Sequence, residues 1–127
     1  LMVAECENEI HGGPTTLAYQ CINMVRQRAG IATLTGLNQE DFRNAIKDER
    51  AMELCFEMTR RFDLIRWGDF TKDMNALVER AKNGTNWNFG PSNVYTYFQV
   101  SDAYNYFPIP SNEMAINKKI VANNPGW

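Results

Sequence analysis

Glutamates recur every four residues in the most charged stretch of this sequence. Glu49, Glu53 and Glu57 would stack along one face of a helix, since residues four apart are neighbours on a helix surface. Three carboxylates in a row repel one another unless cations or a metal ion offset their charge. Guanidinium groups suit this purpose because each can bind a carboxylate through two parallel hydrogen bonds. The spacing therefore predicts a structural ion-pair network, whose other members are Arg50, Arg60, Asp63 and Arg66.

Catalytic use of these acids is the alternative. A di-iron site requires Glu-x-x-His pairs on facing helices, and the single histidine, His11, is far from the acidic stretch. A glycosidase requires two carboxylates held across a sugar, whereas arginines flank these acids. A Ser-His-Asp or Cys-His site would have to use His11, which lies beside a Gly-Gly turn without a nucleophile in a strained elbow. We therefore expect a protein that is not an enzyme and that holds no metal or cofactor.

Aromatic residues are concentrated in a segment from Thr85 to Phe107 that is rich in Asn, Gly and Ser and has no helical period. Aromatic rings can cover the apolar faces of sugars, while Asn and Tyr supply hydrogen bonds. The candidate glycan-binding residues are Trp87, Tyr95, Tyr97 and Tyr104. The alternative is that these rings pack the segment against the helices. Within the segment, Val94 to Phe98 has the composition of a short strand.

Composition excludes several classes of function. The net charge of -2 gives no electrostatic basis for binding nucleic acid or an anionic membrane surface. No apolar run approaches the length of a membrane-spanning helix. The three cysteines form no Cys-x-x-Cys pair, which argues against a zinc site, and we expect Cys21 and Cys55 to be buried on helix faces.

The periodicity of apolar residues predicts a mostly α-helical single domain or fragment over residues 1–127. A first helix ends near Ile10, and Thr15 or Thr16 caps a second helix that runs to about Ala29, so that the two form a helical hairpin. Asn38 caps a long charged helix that ends at Trp67. The remaining predicted elements are a helix from Thr71 to Lys82, the long irregular aromatic loop, a short helix from Ser111 toward Asn117 and a terminal turn.

Several segments resemble the SusD/RagB family. Residues Asn23 to Ile31 are similar to its Asn-x-Val-Arg-x-Arg-Ala-Gly stretch, and residues Ala4 to Cys6 resemble the helix before it. The charged-helix signature is matched by Glu49-Arg50, Glu53-Leu54, Phe56-Glu57, Arg60, Phe62-Asp63-Leu64 and Arg66-Trp67-Gly68. The C-terminal pattern is matched by Phe107-Pro108-Ile109-Pro110, Glu113, Asn117 and Asn123-Pro125-Gly126-Trp127. The chain departs from the family where Met58 and Thr59 replace a small residue and His, and where Arg61 replaces a common aromatic residue.

The resemblance implies a fold, a location and a role. Members are mostly helical lipoproteins anchored on the outer face of the outer membrane of Bacteroidetes, where they deliver oligosaccharides, or in some cases peptides, to a SusC-like TonB-dependent transporter. They bind and do not cleave, and variable loops carry most of their ligand residues. Members are also several times longer, so we expect this chain to be a C-terminal portion from which the tetratricopeptide-like helices are largely missing.

Two functions from different classes therefore remain open. The first is non-catalytic binding of nutrient glycans at the cell surface for uptake. The second is a helical scaffold for protein–protein interaction that binds no ligand of its own. We also expect the isolated chain to self-associate, because apolar side chains such as Met2, Val3 and Ile22 would lose partners if upstream helices are missing.

Overall fold

The computed structural model of the protein describes residues 1–82 and 99–127. The regular elements of this part of the chain are all helices and it contains no strand, which confirms the prediction of a mostly α fold. The helices are α1 (Met2–His11), α2 (Thr16–Arg28), α3 (Gln39–Glu53), α4 (Arg60–Trp67), α5 (Phe70–Lys82), a 3-10 helix (Asp102–Asn105) and α6 (Ser111–Ile116). The chain divides into two compact units, residues Leu1–Arg60 and Arg61–Trp127. No helix of the described residues is long and apolar enough to cross a membrane.

The helical hairpin of the first unit forms where the sequence predicts it. Gly12 ends α1 with a left-handed backbone (φ 69°), a conformation that glycine adopts without the strain of a Cβ atom. Thr15 caps α2, since its hydroxyl accepts the backbone N–H of Ala18 at 3.1 Å. The same hydroxyl donates to Glu7 Oε2 at 2.6 Å and so ties the start of α2 to α1.

The prediction of one long charged helix is wrong, because this segment forms two shorter helices. Asn38 caps α3 as expected, with its Oδ1 accepting the backbone N–H of Asp41 at 2.9 Å, but α3 ends at Glu53 and α4 begins only at Arg60. Phe56 and Met58 between them have left-handed backbones (φ 67° and 58°). Helix ends are recognised in a sequence mainly by Gly or Pro, and neither occurs from Leu54 to Thr59, so the break leaves no signal.

The apolar core of the first unit lies where α1, α2 and α3 meet. Its five buried members are Ala4, Ala18, Ile22, Phe42 and Ile46. Tyr19 packs edge-on against Phe42, with ring centroids 5.0 Å apart, and its hydroxyl accepts the backbone N–H of Leu37 at 2.7 Å. Small alanines on α1 and α2 let these helices approach closely enough to bury the larger side chains of α3.

Among its described residues, the second unit has a smaller set of buried apolar side chains, Leu64, Phe70 and Val78. Asparagine side chains hold much of its irregular backbone. Asn75 on α5 pairs with both backbone groups of Val100, each at 3.0 Å. Asn123 does the same for Ile109, accepting its N–H at 2.7 Å and donating to its carbonyl at 3.4 Å. Each amide replaces the neighbour that an extended residue would find in a sheet.

Candidate functional site

Two glutamates of α3 pair with arginines of α2. Buried Glu49 accepts a hydrogen bond from Arg26 on α2 at 2.6 Å, and Arg26 also donates from Nε to the carbonyl of Ala32 at 2.7 Å. Glu53 pairs with Arg28, and this hydrogen bond raises the pKa of the Arg28 guanidinium. The partners therefore come from α2, whereas the sequence interpretation placed them among the arginines that follow on the same helix.

The third glutamate of the predicted stack lies elsewhere. Glu57 is exposed in the connection between α3 and α4, so the expectation of three carboxylates on one helix face is wrong. Arg60, at the start of α4, donates to the carbonyl of Lys47 at 3.1 Å. The prediction failed because it assumed one continuous helix, and a four-residue spacing places side chains together only where the helix persists.

The second unit contains its own ion pair. Asp63 is buried and accepts a hydrogen bond at 2.9 Å from Nε of Arg66, one turn further along α4, and the Arg66 guanidinium lies 4.7 Å from the ring centre of Trp67. Asp63 and Arg66 thus lie in a different compact unit from Glu49, Arg50 and Glu53. Glu49, Glu53 and Asp63 thus each bind an arginine, while the wider network of seven residues stays a prediction.

The cysteines and potential metal ligands give no site in the part of the chain that the structure describes. No group of three or more His, Cys, Asp or Glu side chains there could hold a metal ion. Cys21 is half-buried beside the core of the first unit. Cys55 is exposed after the end of α3, so the expectation that it is a buried helix residue is wrong.

Aromatic rings, most of them exposed, gather around one arginine in the second unit. We call this group the aromatic corner, and it consists of Arg61, Phe70, Tyr104, Phe107 and Trp127. The Arg61 guanidinium lies 5.0 Å from the ring centre of Phe70 and 4.5 Å from that of Phe107, both within the range of cation–π attraction. It also donates to the carbonyl of Tyr104 at 2.6 Å. The rings of Tyr104 and Trp127 meet edge to face, 5.4 Å apart, and both remain more than 40% exposed (43% and 49%).

The terminal turn fixes the position of Trp127. Gly126 has φ 88°, and a Cβ atom there would lie 2.4 Å from the Cβ of Ala103, so no other residue fits without a backbone shift. The indole Nε1 of Trp127 donates to the carbonyl of Ala103 at 3.1 Å. Asn124 donates to the carbonyl of Phe107 at 2.6 Å. The exposed rings are therefore held in place before any ligand arrives, which lowers the entropy cost of binding.

The predicted glycan-binding residues fall into two groups. Tyr104 lies in the 3-10 helix and belongs to the aromatic corner. Trp87, Tyr95 and Tyr97, together with the predicted strand from Val94 to Phe98, lie outside the described residues. Sequence reasoning missed Trp127 and Arg61 as neighbours of Tyr104. The Asn-x-Pro-Gly-Trp ending marked a turn, but which chain segment this turn contacts depends on the tertiary fold.

Three comparisons with known proteins agree on the family. A family model described as the SusD family matches residues 1–127. Two SusD-like proteins from Formosa agariphila are 41% and 31% identical to the chain, over all of this chain and 23% and 24% of their own lengths. A crystal structure of a SusD homolog from Bacteroides thetaiotaomicron superposes with a TM-score of 0.84 and 32% identity, covering 98% of this chain and 24% of its own.

The helical fold and these matches place this chain in the class of helical SusD-like proteins. The chain belongs to the SusD family. It spans about a quarter of the length of the relatives it matches.

The residues that carry the family pattern have structural roles in this fold. In the Asn23 to Gly30 stretch, Asn23 pairs with both backbone groups of Leu34, at 2.7 and 3.0 Å. Arg26 and Arg28 hold the two glutamates of α3. Gly30 closes α2 with a left-handed backbone (φ 72°), and the following N–H of Ile31 returns to the carbonyl of Arg26 at 3.0 Å. The pattern that identifies the family thus specifies its framework.

Proposed function

We propose that this chain is the C-terminal region of a lipid-anchored protein on the outer face of the outer membrane. The whole protein binds nutrient oligosaccharides there and delivers them to a SusC-like TonB-dependent transporter, without cleaving them. The observation that supports this proposal is membership of the SusD family over all 127 residues. The preorganised aromatic corner supports it further, because exposed rings held by a rigid turn suit the apolar faces of sugars.

The ligand surface in this proposal includes Tyr104 and the rings of Trp87, Tyr95 and Tyr97, and it is shared with parts of the protein outside this chain. The relatives are about four times as long, so the residues here supply only part of such a surface. We therefore expect the isolated chain to have little or no affinity for sugars. Micromolar glycan binding by residues 1–127 alone, measured by calorimetry, would place the whole site on this chain.

Affinity electrophoresis and calorimetry of the full-length protein against a panel of purified oligosaccharides test the proposal. We expect Tyr104→Ala and Trp87→Ala to weaken binding, since each removes a stacking surface worth about 1 kcal/mol. Phe56→Ala is the matched control, because Phe56 is an aromatic residue that is 98% exposed in the first unit, outside the proposed surface. Release of reducing sugar by the purified protein would contradict the non-catalytic role.

The alternative is a helical scaffold that binds only another protein. Exposed apolar side chains on α1 favour it, because Met2 and Ile10 are 70% and 75% exposed and lie two helical turns apart on one stripe. A full-length protein that co-purifies with its transporter but binds no oligosaccharide in the panel would support the scaffold. Oligosaccharide binding that Tyr104→Ala weakens would support the nutrient-binding role.

A further inference from the structure

Arg61 is a half-buried cation without a carboxylate partner. Its Nε atom is buried and has no hydrogen-bond partner, and its one hydrogen bond to protein goes to a neutral carbonyl, that of Tyr104. No Asp or Glu of residues 1–82 and 99–127 pairs with it. The stretch 83–98 contains no acidic residue at all, so it supplies no carboxylate either. Among residues 1–127, no carboxylate therefore neutralises this charge.

Other arginines of the chain, unlike Arg61, lie next to carboxylates. Arg26, Arg28, Arg43 and Arg66 each contact a carboxylate, as expected for charges that lose part of their hydration. Phe70 and Phe107 offset some of the cost for Arg61 through cation–π attraction. Rings attract the guanidinium through their faces, but they do not accept its in-plane N–H groups. The buried Nε cannot reach a ligand, but the N–H groups at Nη1 and Nη2 can bind a carboxylate or sulfate end-on through two hydrogen bonds.

We propose that Arg61 binds the anionic group of an acidic sugar at the aromatic corner, so that the oligosaccharide ligand carries carboxylate or sulfate groups. The inference rests on the proposed function and adds the chemical class of the ligand. The exposed rings of Tyr104 and Trp127 bind the apolar face of the sugar, and Arg61 neutralises its charge.

Two pairs of probes that differ only in charge test the inference with the full-length protein. The pairs are oligogalacturonate with its methyl ester, and sulfated dextran oligosaccharide with unmodified dextran oligosaccharide. We expect the acidic member of at least one pair to bind about tenfold more tightly than its neutral counterpart, because a hydrogen bond between a guanidinium and an anion is stronger than one to a neutral group. Arg61→Phe, which restores the common aromatic residue, should fold and should abolish this preference.

Control variants separate local charge from overall charge and from misfolding. Lys72→Met removes an exposed positive charge from α5 in the same unit, and we expect it to keep the preference. Arg61→Lys keeps the charge but lacks the two-pronged geometry, so we expect it to retain only part of the preference. Circular dichroism of each variant verifies that it is folded.

The outcomes distinguish this inference from the proposed function. Loss of the acidic preference in Arg61→Phe, with the preference intact in Lys72→Met, supports a site for an acidic sugar. Equal binding of neutral and acidic probes that Arg61→Phe leaves unchanged overturns the inference while nutrient binding stands. Loss of the preference in Lys72→Met as well as Arg61→Phe overturns it too, because general charge would then explain the effect. Failure of all probes and of a broad glycan panel to bind overturns the proposed function, and the inference with it.

Discussion

The two units of this chain are each stabilised by a different kind of internal contact. In Leu1–Arg60, three helices bury a continuous apolar cluster, and arginines of α2 bind glutamates of α3. In Arg61–Trp127, fewer apolar side chains are buried among the described residues, and asparagine side chains and aromatic contacts hold irregular backbone. The first arrangement gives a rigid framework. The second leaves the rings of Tyr104 and Trp127 exposed on a fixed backbone, which is what a binding surface requires.

The largest expected effect concerns the exposed apolar stripe of the first unit. Met2 and Ile10 on α1 are each at least 70% exposed, and an apolar patch of a few hundred Å² at roughly 25 cal/mol per Å² is a substantial driving force for association. We expect the isolated chain to self-associate, and Met2→Glu combined with Ile10→Lys to weaken that association. Analytical ultracentrifugation over a concentration series measures both. A monomer at every concentration with a cooperative, high-temperature melt would contradict the expectation.

Glu49→Ala should cause the largest loss of stability among single changes to the ion pairs. Glu49 and Arg26 are both largely buried (side chains 7% and 19% exposed), so removing the carboxylate leaves an uncompensated cation and costs about 3 kcal/mol. Glu53→Ala is the matched comparison, because its partner Arg28 is 66% exposed and water can replace the lost contact. Urea denaturation of both variants tests the ranking. Equal losses would show that burial does not separate the two pairs.

Asn123→Ala tests whether asparagine side chains hold the second unit. It removes two hydrogen bonds to the backbone of Ile109 and leaves half-buried groups with fewer partners, so we expect a loss of about 1–2 kcal/mol. Asn117→Ala is the control, since the Asn117 side chain is exposed. Hydrogen exchange at Ile109 reports the effect locally, and unchanged protection there would argue against this role for Asn123.

Met58→Gly should stabilise the first unit by about 1 kcal/mol. Met58 has a left-handed backbone, which costs a residue with a Cβ atom about 1–2 kcal/mol, while its side chain is 89% exposed and contributes little packing. The family pattern has a small residue here, in agreement with that reason. Met58→Ala removes the side chain but keeps the strain, so its melting temperature should stay close to that of the unchanged protein. A destabilised Met58→Gly would show that the methionine side chain is needed.

The smallest effect concerns pH. The hydrogen bonds from Arg43 hold the pKa of Glu9 below its usual value, although the Glu9 side chain is 40% exposed. Because the folded pKa is the lower one, this pair stabilises the fold above the unfolded pKa, and its contribution is lost as pH falls through the folded pKa. Arg43→Met should return the pKa of Glu9 toward its ordinary range, as measured by NMR titration of its carboxyl carbon. Solvent keeps the change in stability slight.

The sequence by itself determined the helical class, the hairpin with a threonine cap at Thr15 or Thr16, the Asn38 cap and the family. These features depend on neighbours along the chain, such as apolar periodicity and hydroxyl or amide caps, and such neighbours can be read in order. It also predicted that Glu49 and Glu53 need arginine partners, because carboxylates four residues apart on a helix repel one another unless cations lie beside them.

Only the tertiary structure decided which arginines these are, where the charged helix breaks and what surrounds Arg61. Arg26 and Arg28 lie 23 and 25 residues from their glutamates, and Arg61 lies 43 residues from the carbonyl it binds. At the break, Phe56 and Met58 have left-handed backbones although neither is a glycine, so the sequence does not reveal it. Contacts between distant segments depend on how helices pack, and packing is settled by the shape of many side chains together, which no local spacing records.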